Sequence, residues 1–200
     1  MRALLAFVAA VLMGCGTTST SAYVAAGEFP VCTAQSAGLG VVAVVPETAW
    51  RSDQKEPEER LAMASRALSR AFATFSCGSL APPGGVRAFS PWSRSPEETV
   101  LHELSEAGVE TAILVRIEEL TPQILVTFSV PFLWFGASEV DFHIRVVHLP
   151  SRSVRLDAQI KRTTGGPFHL RPPAWAEEEL VHALEQLWVA PSASASADRR

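Results

Sequence analysis

Few residues of this chain are of the types that do chemistry: five histidines, three cysteines, and 21 acidic residues set against 17 basic ones. A nucleophilic hydrolase needs a serine or cysteine, a base within hydrogen-bonding reach, and an acid that orients the base. The one stretch that gathers those types is Ser129 and Ser138 near Asp141, His143 and His148. Neither serine lies in a nucleophile-elbow pattern, and Asp141 and His143 alternate along a predicted strand as solvent-facing residues do. Hydrolysis is the weakest reading, and no catalytic residue is assigned.

Metal and phosphate chemistry fare no better. His143 and His148 are five apart on a strand and so fall on opposite faces, while His102, His169 and His182 belong to separate elements. Glu118 and Glu119 alternate in direction, which removes the paired carboxylates of a glycosidase. Gly84-Gly85 and Gly165-Gly166 are turn glycines without the strand-to-helix loop that cradles phosphate. No metal or cofactor is expected. The formal net charge is −4 and becomes one more negative if Arg2 is removed. With no Lys/Arg cluster to offset that average, nucleic acid is not an expected partner.

Cys15 carries a different chemistry. Arg2 precedes an apolar run from Ala3 to Met13, followed by Gly14 and Cys15. As a helix that run would be only about 16 Å long, too short for a hydrocarbon core that needs roughly 20 residues, so it fits an export signal. Leu12-Met13-Gly14-Cys15 resembles the lipobox of bacterial lipoproteins: an aliphatic residue three before the cysteine and a small one immediately before it. Met13 is a less usual occupant of the middle position. The resemblance implies diacylglycerol on the Cys15 thiol, cleavage before Cys15, and acylation, commonly palmitate, of the new amine. Two or more buried acyl chains make anchoring stable. Gly16, in place of the aspartate that marks inner-membrane retention in enteric bacteria, implies the periplasmic face of the outer membrane.

Residues 1–14 are therefore read as a signal peptide, 15–28 as a flexible tether of small polar residues, 29–190 as one folded domain, and 191–200 as a disordered Ser/Ala tail. Cys32 and Cys77 remain. In an exported protein an even pair is more often a disulfide than a metal site, and neither has a second ligand at zinc spacing.

Within the domain, LGVVAVV at 39–45 is apolar without alternation, as in a central strand covered on both faces and ended by Pro46. Pro57, Glu58 and Glu59 open a helix whose apolar stripe runs through Leu61, Leu68, Phe72 and Phe75, with Arg60, Arg66 and Arg70 on other faces. That helix stops near Ser76 to Gly78. Val86 to Phe89 reads as a short strand. Ser95-Pro96-Glu97-Glu98 is a capping box that starts a short helix ended by Gly108. Thr111 to Leu120 is a strand interrupted by Pro122, and a further period-two run follows from Ile124. Glu139 to Leu149 and Val154 to Arg162 form the strongest hairpin, after which Gly165-Gly166-Pro167 breaks the sheet. A last helix covers about 174–189. The fold class is α+β: a single domain with a mixed or antiparallel sheet and about three packed helices.

This element order, behind a lipidated cysteine, resembles a broad group of periplasm-facing lipoproteins that includes penicillin-binding-protein activators and the curli secretion lipoprotein. The resemblance covers roughly 39–189 and has no diagnostic motif. It implies binding or assembly of other proteins and no catalytic residues. One segment lacks a place in the pattern. FSVPFLWFG, from Phe128 to Gly136, sets Phe128, Phe132, Leu133, Trp134 and Phe135 between two strands where a connection is usually polar. It either folds back over the sheet or forms an apolar lip that contacts a partner or the bilayer. The sequence thus favours a non-enzymatic accessory lipoprotein of the envelope that binds a protein or cell-wall partner. A carrier of lipid or another small apolar ligand is the alternative, and a periplasmic hydrolase the least supported one.

Overall fold

β-branched residues from Val41 onward build a strand that packs on both faces. In the computed structural model β2 spans Val41–Thr48, with Val42 and Val44 in one core cluster and Ala43 in another. The structure describes residues 17–27, 30–31, 38–50, 56–75, 77–81, 97–126, 134–167 and 172–188, and only the backbone at 121–126, 134, 135 and 167. Among the described residues six strands form one sheet: β1 (Thr17–Gly27), β2, β3 (Ser79–Leu80), β4 (Thr111–Val126), β5 (Trp134–His148) and β6 (Ser153–Pro167), in the order β1-β6-β5-β4-β2-β3. The β2 pairings with β3 and β4 are parallel and the rest antiparallel, so the sheet is mixed.

Three helices complete the α+β domain among the described residues: α1 (Pro57–Ala73), α2 (Glu97–Glu106) and α3 (Pro173–Trp188). α1 and α3 lie together on one face, where Leu68, Phe72, Leu180 and Leu184 meet Ile113, Ile117, Phe142 and Ile144. Phe72, Phe75 and Trp188 close that layer with ring centroids 5.0 to 5.6 Å apart. α2 lies on the opposite face, and only Leu104 of this helix is fully buried there, against Ala43, Ala112 and Val147. Gly108 ends the α2 region at φ +77°, the left-handed cap its position predicts.

The strict alternation of the β5–β6 hairpin holds. Val140, Phe142, Ile144 and Val146 are fully buried, as are Leu156, Ala158 and Ile160 across from them, while Asp141, His143 and Arg145 face the other side. Several expectations are corrected. Most of the tether at 15–28 is strand: Thr17–Gly27 pairs with β6 along ten register positions, because an extended chain of small residues can use the ladder of an open edge without burying side chains. Pro122 does not interrupt the chain. β2 covers β4 only as far as Ile117, so beyond that point β4 is itself an edge, where a missing N–H is tolerated. Gly165 and Gly166 do not break the sheet but continue β6, since a Cβ at Gly165 would stand 2.6 Å from the carbonyl oxygen of Gly136 on β5. Pro46 lies within β2, and α1 ends at Ala73. The strand expected at Val86 to Phe89, together with Ser95 and Pro96, lies outside the described residues; β3 at Ser79–Leu80 had no sequence signal of its own.

Candidate functional site

The sheet face opposite α1 and α3 carries a connected network of charged side chains. It is built by the alternation of β5 and β6, which turns every second residue to that side. Lys161 Nζ lies 2.6 Å from Glu139 Oε1 and 4.0 Å from Asp141 Oδ2. Gln159 donates to Asp141 Oδ1 at 2.5 Å and to Glu118 Oε2 at 3.3 Å. His143 Nε2 and Asp157 Oδ1 are 2.7 Å apart, and Arg145 Nε stands 3.5 Å from the other Asp157 oxygen. Arg145 Nη1 then donates to Glu97 Oε1 at 2.6 Å, which ties the sheet face to the first turn of α2. Burial pushes the Asp141 carboxyl above its ordinary range, opposed by the Gln159 hydrogen bond and by Lys161. The hydrogen bond to Glu139 is the main cause that raises the Lys161 ammonium.

Two clefts flank α2. One, of about 380 Å³, is lined by Pro46, Glu47, Val100, Arg116, His143 and Arg145 among others. The second, of about 620 Å³, runs along the other side of the helix past Leu101, His102, Ser105, Val147 and Arg152. Both are open grooves with charged walls.

The arrangement does not assemble the hydrolase group. Asp141 bonds Gln159, so it does not orient His143; Asp157, which the sequence reading passed over, does so instead. Its cross-strand register near His143 was the available signal. Ser138 is buried on the face of Val140 and Phe142, away from the imidazole, and Ser129 lies outside the described residues. His148 bonds Ser151 at 2.7 Å in the β5–β6 turn, His102 stands 3.6 Å from Glu106, and His182 bonds Gln186 at 2.9 Å; His169 lies outside the described residues. Among the described residues no three His, Cys, Asp or Glu side chains are grouped as metal ligands would be.

Of the residues assigned from sequence, Cys15, Cys32, Phe128, Phe132 and Leu133 lie outside the described residues. Trp134 and Phe135 are the first residues of β5, with only their backbone described. Cys77 lies between α1 and β3, where its carbonyl accepts from the Leu39 amide at 2.7 Å.

A buried ion pair went unforeseen. Arg60 Nη1 on α1 donates to Glu119 Oε1 on β4 at 2.8 Å, with side chains 10% and 4% exposed. Helical spacing placed Arg60 away from the apolar stripe, and the register shift between Ile117 and Glu119 is what brings its partner to it.

Fold and site together define an α+β domain whose mixed sheet carries α1 and α3 on one face, and α2 beside a charged network on the other. No family model and no curated protein matches the chain. Among solved structures it is similar to the PelC dodecamer from Paraburkholderia phytofirmans, at 13% identity and a TM-score of 0.47, over 86% of this chain and 100% of that one. It is also similar to the LpoB C-terminal domain from Salmonella enterica, at 8% identity and a TM-score of 0.38, over 64% of this chain and 84% of that one. A third likeness is to lipoprotein GNA1162 from Neisseria meningitidis, at 10% identity and a TM-score of 0.38, over 74% of this chain and 96% of that one. These likenesses, all below a TM-score of 0.5, include a bacterial lipoprotein. Among the described residues no helix is long and apolar enough to cross a membrane.

Proposed function

We propose that the chain is a non-catalytic accessory protein of the bacterial envelope, lipid-anchored through Cys15 at the periplasmic face of the outer membrane, where it binds a protein or cell-wall partner. The observation that carries this reading is the register across the sheet. Thr17 pairs with Gly165, and Gly165 with Ala137. The start of β1 is thus at the same end of the sheet as the turn end of the β4–β5 hairpin, where Val126 pairs with Trp134. Trp134 is three register positions past Ala137, about 10 Å along the strand. Cys15 precedes Thr17 by two residues, a reach of at most about 7 Å. A lipid on Cys15 and the apolar residues of FSVPFLWFG would therefore meet one surface, and that surface is the bilayer. On this reading Phe128, Phe132, Leu133, Trp134 and Phe135 form a second, interfacial contact, and the partner is met by the parts of the domain that face away from the membrane.

A Cys32–Cys77 disulfide belongs to the same proposal. It is supported by proximity at the end of α3: the Val31 amide, one residue before Cys32, donates to the Leu187 carbonyl at 2.7 Å, and Cys77 Sγ lies 4.0 Å from the carbonyl of the next residue, Trp188. A carrier of apolar ligands would need a closed apolar cavity, whereas the clefts beside α2 are walled by Glu97, Arg116, His143 and Arg145.

Intact-mass measurement on membrane-extracted protein tests the anchor. The expected mass is that of a chain beginning at Cys15 and carrying acyl groups, and Cys15→Ser should shift the protein out of the membrane fraction. Full-length polypeptide in the cytosol, or cleaved protein with a bare thiol, would overturn the proposal.

A further inference from the structure

We propose that the cleft between the end of β2 and the first turn of α2 binds an amino-acid zwitterion at the end of an aliphatic chain, the group that diaminopimelate presents in an uncross-linked cell-wall peptide. The inference rests on the envelope location proposed above and chooses the wall as the partner. Glu47, Arg116, His143 and Gln159 lie in one row across the sheet, on the face opposite α1 and α3. Most charged groups that line the cleft are already engaged. Arg145 bonds Glu97 and stands beside Asp157, and His143 bonds Asp157. Two groups are left. The Glu47 carboxylate has no hydrogen bond or ion pair among the described residues, and Arg116 Nε stands 3.9 Å from Glu118 Oε1, too far for a hydrogen bond. Glu47 and Arg116 are register partners on adjacent parallel strands, about 5 Å apart at the backbone, yet among the described residues no ion pair joins them.

That pair selects a ligand that carries both signs. An anion on Arg116 would also face the Glu47 carboxylate, and a cation on Glu47 would face the guanidinium. An ammonium and a carboxylate on one carbon satisfy both: the Arg116 fork donates to the carboxylate, and Glu47 accepts from the ammonium, through charge-assisted hydrogen bonds. The rest of the lining is largely aliphatic, with half-buried Val45 and Leu114 on the sheet side and Val100 on the α2 side. A methylene stem would cover them and remove apolar surface from water. The cleft, of about 380 Å³, is of a size that holds a small ligand, and because it is open it leaves a way out for the polymer that carries that ligand. Its height above the anchor fits as well. Arg116 aligns through His143 and Gln159 with Tyr23 of β1, six register positions from Thr17, or about 20 Å along the strand away from Cys15.

The test titrates the full lipidated chain, in dodecyl maltoside micelles, with the stem peptide alanyl-γ-glutamyl-diaminopimelate and with the same peptide ending in lysine. The two differ by one carboxylate on the far carbon, so the lysine peptide should bind at least about tenfold more weakly, as loss of a charge-assisted hydrogen bond predicts. Glu47→Gln and Arg116→Met should each weaken the diaminopimelate peptide by at least about tenfold. Thermal unfolding of both variants should stay near that of the parent, since both side chains are exposed. Equal affinity for the two peptides, no binding of either, or full affinity in either variant would overturn the proposal. The peptide comparison uses the parent protein and so does not depend on how the variants fold. Purified sacculi should sediment the protein and free diaminopimelate peptide should release it; protein left in the supernatant would reject the wall as the source of the ligand. Micelles remove any need for a bilayer, so failure of the lipid anchor and failure of the cleft are read separately.

Discussion

Arg60 and Glu119 face each other at 2.8 Å in a layer that is mostly apolar. Removing one member of a buried pair leaves the other charge without its main compensation, which typically costs about 3 kcal/mol. Glu119→Gln should therefore lower the urea midpoint strongly, and Arg60→Met with Glu119→Leu together should recover most of the loss; additive losses would show that the two do not act as a pair. Asp141 makes a pH prediction. Its folded carboxyl holds a proton more tightly than the unfolded one, so stability falls as pH rises from about 3.8 through the raised folded value. Asp141→Asn should remove that fall, gaining stability relative to the parent at pH 7 but not at pH 3, as read from urea unfolding at both pH values. Lys161 acts at the alkaline end: its contribution is full below 10.5 and is lost as pH rises through its raised folded value. The alternation on β5 and β6 was legible because a pleated strand leaves no freedom about which side a residue takes. The Arg60–Glu119 pair was not legible, because it depends on a bulge in one element meeting a helix that lies more than fifty residues earlier.

At the scale of elements, helices and hairpins followed from local signals, and their ends did not. Prolines and glycines mark where a chain is able to stop, but an available neighbour decides whether it does. Pro122 continues β4 because β2 has already ended alongside it, and Gly165 continues β6 because only glycine permits the close approach of Gly136. Gly165→Ala tests the second point. Its added Cβ would stand 2.6 Å from backbone rather than from a side chain that could swing away, so overpacking should cost about 2 kcal/mol. Calorimetry should find a melting temperature lower by about 5 °C. An unchanged value would mean that β5 and β6 separate freely at that row.

For the whole molecule, the sheet order decides which distant residues share an end. β1 is at one edge and β4 is three strands away, yet the register brings the start of β1 and the turn end of the β4–β5 hairpin to the same side. That geometry makes the apolar segment testable apart from the lipid. In the form lacking residues 1–15, Phe132→Glu with Trp134→Glu should reduce binding to phospholipid vesicles by about tenfold, from the loss of two apolar contacts and the added repulsion from anionic lipid. Thermal unfolding of the pair should stay near that of the parent. Equal vesicle binding would reject the interfacial contact and return FSVPFLWFG to an ordinary packing role.

By itself the sequence determined the α+β class, the alternating hairpin and the positions of three helices, because each is written in spacing along a few consecutive residues. Only the tertiary structure decided that residues 17–27 are a strand, that Arg60 is buried, and that His143 pairs with Asp157 instead of Asp141. Those outcomes require an edge, a bulge and a register supplied by residues far away in the chain, and local periodicity holds no information about which distant partner will be present to satisfy a backbone donor or a charge.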